Sequence, residues 1–187
     1  MTFSEICDFC GKEETRLYEY DHNKICHNCL KKELRESMKF RLSDKTLNSS
    51  YDYWLLFAKE LENYFDNMLG CQEPKCDFMS KFSDRTQPGK DYRCLFAIAT
   101  EEDYNDNYSR STFCGMMCYE KSKSINVCEF IVLEKYRSLG VGKLMINHLR
   151  DVYQGRKIFL GTPAQNTRAL KFYQDNGFKI EGYSLQG

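Results

Sequence analysis

No charge of one sign dominates this sequence. Twenty-seven lysines and arginines face 27 aspartates and glutamates, a formal net charge of zero over 187 residues. That balance argues against nucleic acid as the main partner, because such proteins usually carry a basic excess. Long apolar runs are missing too. Nothing approaches the roughly 18 residues that cross a bilayer, so no membrane partner is expected. The opening MTFSEICDFC has neither the basic leader nor the apolar core of a signal peptide. A cytoplasmic, soluble protein is the expectation. There is no internal repeat and no low-complexity tract, and with 42% hydrophobic and 29% charged residues the composition is that of an ordinary globular chain.

Cysteine, by contrast, is plentiful. Ten cysteines in a chain expected to be intracellular point to metal binding or reduced thiols rather than to a disulfide framework. Four of them form the pairs Cys7-x2-Cys10 and Cys26-x2-Cys29, separated by fifteen residues. Each pair offers two thiolates to one tetrahedral zinc, and the intervening loop brings the second pair back to the first. A segment this short has too small a core to fold unaided, so structural zinc would supply its folding energy. His22 and His27 are alternative ligands, but four cysteines already complete the shell. Residues 1–38 are read as this zinc module and residues 39–187 as a second domain. The module carries more acidic than basic residues, so a structural or protein-docking role fits it better than a DNA grip. Cys71 and Cys76 could hold a second metal with help from Cys94, Cys114, Cys118 or Cys128; small buried hydrophobes are the plainer reading.

After KKELRESMK, read as a polar connecting helix, the pattern alternates between helix and strand. FRL at 40–42 suits a short strand. Residues 52–69 show helical spacing through Trp54, Ala58, Leu61, Phe65 and Met68. Residues 71–91 contain EP and PG and read as an irregular connection. Strands are expected over 94–100, 112–120 and 125–133, the last apolar enough to be covered on both faces. A helix then runs to about Tyr153 with Val141, Leu144, Met145, Leu149 and Val152 on one face. A buried strand over 157–162 and a helix opening at Asn166 and stopping at Gly177 follow. FKIEGYSL is read as a final strand. The fold class is mixed α/β.

Between the apolar strand and the helix lies YRSLGVGKL, residues 136–144. Two well-known phosphate loops are excluded there. Arg137 stands where a Walker loop needs its first glycine, and Leu144 follows Lys143 where serine or threonine belongs. Met145 replaces the third glycine of the dinucleotide fingerprint. What remains is Arg137-x-x-Gly140-x-Gly142 ahead of an amphipathic helix. Glycines let a backbone approach a ligand closely, and a helix N-terminus favours an anion. Arg137 and Lys143 add positive charge. The spacing alone leaves an anion cradle and an ordinary strand-to-helix turn equally open.

The order of motifs decides further. Arg137, Gly140 and Gly142 after an apolar strand, then Asn166, Ala169, Phe172, Tyr173, Gly177 and Phe178 in one register, resemble the GNAT superfamily of acyl-CoA-dependent N-acyltransferases. The resemblance is clear over roughly 125–180 and looser over 40–124. It implies a GNAT-like, mostly antiparallel splayed sheet flanked by helices. It also implies acetyl-CoA as cosubstrate, with its pyrophosphate on the backbone amides of Arg137, Ser138, Leu139, Gly140, Val141, Gly142 and Lys143. Ile131, Val132 and Leu133 would pair with the pantetheine arm, Asn166 would bond the arm, and Tyr173 would stand near the thioester sulfur.

The implied chemistry is direct attack of a primary amine on a thioester. Tyr173 is a neutral donor at neutral pH and suits protonation of the departing thiolate; the plainer reading is an aromatic packed on a helix face. Glu129, a carboxylate in an apolar strand, suits a general base acting through water; the plainer reading is a salt-bridged strand residue. Glu120 is a weaker candidate, Glu134 reads as a surface turn, and His148 as a packing or surface histidine. The acceptor is expected to be an amine, with a protein or peptide slightly favoured because of the appended cysteine module. Only about nine residues follow Phe178, fewer than the closing hairpin of the family needs. That shortness favours the rival reading, a zinc-containing adaptor with an inactive acetyltransferase-like half.

Overall fold

The computed structural model describes residues 4–20, 22–50, 54, 55, 57, 78–102 and 109–182. In chain order the elements are β1 (Glu5–Ile6), β2 (Glu13–Glu14), β3 (Tyr18–Tyr20), β4 (Asn23–Ile25), α1 (His27–Ser37), β5 (Met38–Thr46), α2 (Phe78–Arg85), β6 (Tyr92–Glu102), β7 (Ser109–Lys121), β8 (Ile125–Val132), α3 (Val141–Val152), β9 (Ile158–Leu160) and α4 (Thr167–Asp175). β1 and β2 form a short hairpin with Cys7 and Cys10 in its turn; β3 and β4 form a second, after which Cys26 is the N-cap of α1 and Cys29 lies in its first turn. Strands β5 to β9 form one sheet in the order β5-β6-β7-β8-β9. The architecture is mixed α/β with a mostly antiparallel central sheet flanked by helices, as the sequence leads one to expect. No helix among the described residues is long and apolar enough to cross a membrane.

Strand β9 pairs with β8 in parallel. β9 runs beside β8 for only three positions, Ile125 with Ile158, Asn126 with Phe159 and Val127 with Leu160. β9 stops at Leu160 while β8 continues five residues to Val132. The second half of β8 therefore has no β9 partner among the described residues.

The chain divides into two compact units. The first comprises residues 1–43, 96–115 and 132–145; the second comprises 44–95, 116–131 and 146–187. In the first, Ile25, Leu30 and Leu34 are fully buried, with Phe96, Ala97, Cys114, Val141 and Met145. Leu30 and Leu34 are one helical turn apart, which makes α1 a core-facing helix. In the second unit, Trp54, Cys94, Leu95, Met116, Cys118, Tyr119, Ile125 and Leu149 are buried. A polar network ties its strands: Tyr119 Oη donates to Asp44 at 2.8 Å, Arg93 Nε donates to the other Asp44 oxygen at 2.9 Å, and Tyr119 and Tyr153 share a hydrogen bond of 3.2 Å.

Several expectations need correction. Residues 78–85 form a helix rather than an irregular connection; Phe78 and Phe82 stand four apart, a helical signal that the turn dipeptides obscured. β8 alternates, with Ile125, Val127, Glu129 and Ile131 buried and Cys128 exposed, so only one face is fully covered. β9 is half-exposed rather than buried. On α3 the buried stripe is Val141, Met145, Ile146 and Leu149, whereas Leu144 and Val152 are exposed. Residues 178–182 form no strand. The helix expected over 52–69 lies outside the described residues apart from Trp54, Leu55 and Phe57, which are helical. Cys71 and Cys76 also lie outside them.

Candidate functional site

The loop after β8 turns by a sharp local device. Ser138 and Gly140 both hold left-handed backbone, at φ of 64° and 87°. Glycine adopts that region freely, while serine there is uncommon and marks a constrained position. Left-handed residues alternating with ordinary ones swing successive N–H groups to one side and form an anion-binding concavity. Arg137 N–H bonds Glu134 O and Leu144 N–H bonds Gly140 O, at 3.2 and 2.9 Å. The six intervening amides, Ser138 to Lys143, make no close backbone hydrogen bond among the described residues. Three of them open α3 and are the donors that any helix start leaves unsatisfied. Arg137 itself folds back, its Nε donating to Val132 O at 2.8 Å. It shapes the loop by closing the end of β8. Leu133 N–H donates to Cys114 O of β7, and Ile131 is buried.

The loop's carbonyls are held by cations from the N-terminal segment. Lys31, a buried lysine of α1, donates its Nζ to Lys135 O at 2.6 Å and more weakly to Glu134 O at 3.5 Å. Arg35, one turn further along, donates to Ser138 O at 3.2 Å. Arg16 pairs with Glu134 at 3.0 Å. A carbonyl held by a cation on one side fixes the peptide plane, and so the direction of the N–H on the other. Sequence reasoning missed these residues, having read this helix as a mere connector; Leu30 and Leu34 in register were the available signal.

The four N-terminal cysteines converge. Their sulfurs all lie within 4.8 Å of one another, and Cys10 Sγ is 3.8 Å from Cys26 Sγ. A tetrahedral zinc with Zn–S bonds of about 2.3 Å sets S···S edges of about 3.8 Å. Burial pushes the Cys7 thiol up, but N–H groups of Cys26, Cys10 and Phe9 outweigh it and bring it down to about 6. Burial and the neighbouring thiols of Cys26, Cys10 and Cys7 push Cys29 up to about 12. Four sulfurs this close cannot all ionise without a cation among them, and the donor set fits a thiolate-binding metal ion. None of these cysteines is in a disulfide.

The remaining predicted residues lie in the second unit. Glu129 is buried and ion-paired to Arg85 of α2, the side chains being 4% and 15% exposed. Arg85 also lies over the rings of Trp54 and Tyr92, at 5.9 and 5.6 Å, and donates weakly to Cys118 Sγ. Burial works against the Arg85 charge, but Glu129 more than compensates and raises its pKa. Arg85 sits in the stretch read as irregular, which is why the sequence did not reveal it. Tyr173 is half-buried among Phe130, Phe172 and Phe178, with ring centroids 6.4, 5.4 and 5.8 Å away. Asn166 caps α4 as expected: its Oδ1 accepts from Ala169 N–H at 3.1 Å and its Nδ2 donates to Thr162 at 3.2 Å. Gly177, at φ of 81°, follows the end of that helix. Cys114 and Cys118 are buried in β7, where burial pushes the Cys114 thiol up to about 12. Among the described residues His148 Nε2 is buried without a partner.

Comparison with known proteins joins these observations. Residues 93–180, just under half of the chain, match the acetyltransferase (GNAT) domain. A spermine/spermidine N(1)-acetyltransferase of Bacillus subtilis (strain 168) is 35% identical over 57 residues, 28% of this chain and 38% of that protein. The chain thus spans about two fifths of the length of that curated relative. Among solved structures, a ribosomal-protein-alanine N-acetyltransferase from Brucella melitensis biovar Abortus 2308 superposes with a TM-score of 0.52 at 17% identity, covering 79% of this chain and 97% of that one. An aminoglycoside N-acetyltransferase in complex with CoA gives 0.51 at 13% identity, covering 80% and 94%. Residues 93–180 are thus similar to the acetyltransferase (GNAT) domain, and the fold is shared with solved N-acetyltransferases.

Proposed function

We propose that this protein binds acetyl-CoA on the Ser138–Lys143 amides and transfers the acetyl group to a primary amine. The observation that carries this reading is the run of six loop N–H groups that make no close backbone hydrogen bond among the described residues, at the start of α3, inside a matched acetyltransferase segment. Six donors and a helix dipole suit a pyrophosphate. The half of β8 that has no β9 partner among the described residues, up to Val132, supports an extended arm of the donor pairing along its free side. In the reaction the amine nitrogen attacks the thioester carbonyl, the C–S bond breaks, and Tyr173 gives its phenolic proton to the leaving thiolate. The amine's surplus proton passes to a base or to water. For Glu129, burial and the ion pair with Arg85 support an anchoring role for the carboxylate more than a mobile base.

The four-cysteine cluster is proposed to hold one structural zinc, in a module over residues 1–38. Its cations act on the carbonyls of the glycine loop, a task on the donor side. The module therefore gives no reason of its own to prefer a macromolecular acceptor, and polyamine, small amine and peptide all stand as candidates. Acetyl-CoA turnover measured against spermidine, an aminoglycoside and a pool of amine-bearing peptides tests the activity. At least one should be acetylated above background. Donor binding with no turnover on any of them would instead favour an adaptor.

A further inference from the structure

A cavity of about 550 Å³ opens beside the glycine loop, lined by His27, Asn28, Lys31, Lys32 and Arg35 of α1 and by Ser138. The five helical residues fall at spacings of one, four, five and eight, a single stripe along one side of the helix. Three of them carry permanent positive charge and none is acidic. Lys31 is turned onto the loop carbonyls and is buried, while Lys32 is exposed and makes no ion pair among the described residues. Arg35 uses one nitrogen on Ser138 O, leaving the rest of its fork for another acceptor. The volume lies in the range of about 300–1,000 Å³ usual for small-ligand sites.

The cavity shares Ser138 with the loop whose amides carry the proposed pyrophosphate site. Coenzyme A bears a second anionic group a few bonds from its pyrophosphate, the 3′-phosphate of its ribose. We propose that Lys32 and Arg35, supplied by the helix of the cysteine module, bind that 3′-phosphate. This rests on the reading of the glycine loop as the donor site. It makes the N-terminal module part of donor recognition, distinguishing the coenzyme from its dephosphorylated form.

Calorimetric titration of the full chain with acetyl-CoA and with 3′-dephospho-acetyl-CoA tests this. Acetyl-CoA should bind about tenfold more tightly, the size of one good charge-assisted contact. Lys32→Ala, at an exposed position, should weaken acetyl-CoA by about that factor and leave the dephospho form unchanged. Arg35→Ala should weaken both donors, and the 3′-phosphorylated one more. Equal affinity of the unaltered protein for the two donors would overturn the proposal while leaving the glycine-loop reading intact. An equal loss for both donors in Lys32→Ala would do the same. Failure of either donor to bind at millimolar concentration would overturn the glycine-loop reading and this proposal with it.

Discussion

Gly140 and Ser138 hold the conformation on which the loop depends. An added Cβ at Gly140 meets nothing within 4 Å, so space is not what excludes a side chain there. The exclusion comes from φ, and Gly140→Ala should cost about 1–2 kcal/mol, the penalty of left-handed backbone for an L-residue. The measurement is a thermal melt paired with acetyl-CoA titration. We expect a lower Tm and weaker donor binding, because the loop can relieve its strain only by turning its amides away. Tyr173 is a separate case. Tyr173→Phe keeps the ring among Phe130, Phe172 and Phe178 and removes only the hydroxyl. Turnover should fall by about a hundredfold, the lower range for loss of a general acid, with donor affinity unchanged. Unaltered turnover would rule out the acid role.

At the scale of elements, a buried ion pair joins α2 to β8. Arg85→Met leaves the Glu129 carboxylate in a site where it is 4% exposed, and stability should fall by about 3–5 kcal/mol. Glu129→Gln alone should cost a comparable amount by stranding Arg85. The double variant should recover a large part of either loss, since an uncharged pair carries no unpaired ion. Denaturant unfolding of the three variants measures the coupling. If the two losses simply add, the pair has no anchoring role, and Glu129 becomes the better candidate for a base. The glycine loop depends on an element in the same sense: α1 holds its carbonyls through Lys31 and Arg35.

For the molecule as a whole, the cysteine cluster links metal binding to folding. Native mass spectrometry should find one zinc per chain, lost in the Cys26→Ser, Cys29→Ser variant. Chelation should lower Tm by several degrees and weaken acetyl-CoA binding together, because the first compact unit contains both the cysteine hairpins and residues 132–145. A zinc content unmoved by the substitutions would refute the site. Loss of zinc without loss of donor affinity would show that α1 holds the loop without help from the metal.

Much of this was legible in the chain itself. Cysteine spacing pointed to the convergence of Cys7, Cys10, Cys26 and Cys29, because C-x-x-C turns are local and their pairing needs only a loop of moderate length. Asn166 as the cap of α4 and the glycine turn into α3 are likewise local, fixed by side-chain hydrogen bonds and backbone sterics within a few residues. The positions of β6 to β9 were legible as short apolar segments between turn signals, though not their order in the sheet. What the sequence could not supply are contacts between residues far apart in it: Arg85 with Glu129, Lys31 with the carbonyls of Glu134 and Lys135, and the basic cavity shared by α1 and Ser138. Periodicity also overstated the burial of Leu144, Val152 and β9, since it tells which face is apolar and not what covers it. Local chemistry sets the turns, caps and metal-ligand spacing. Only the tertiary fold chooses which distant charge meets which, because no signal within a few residues records a partner a hundred positions away.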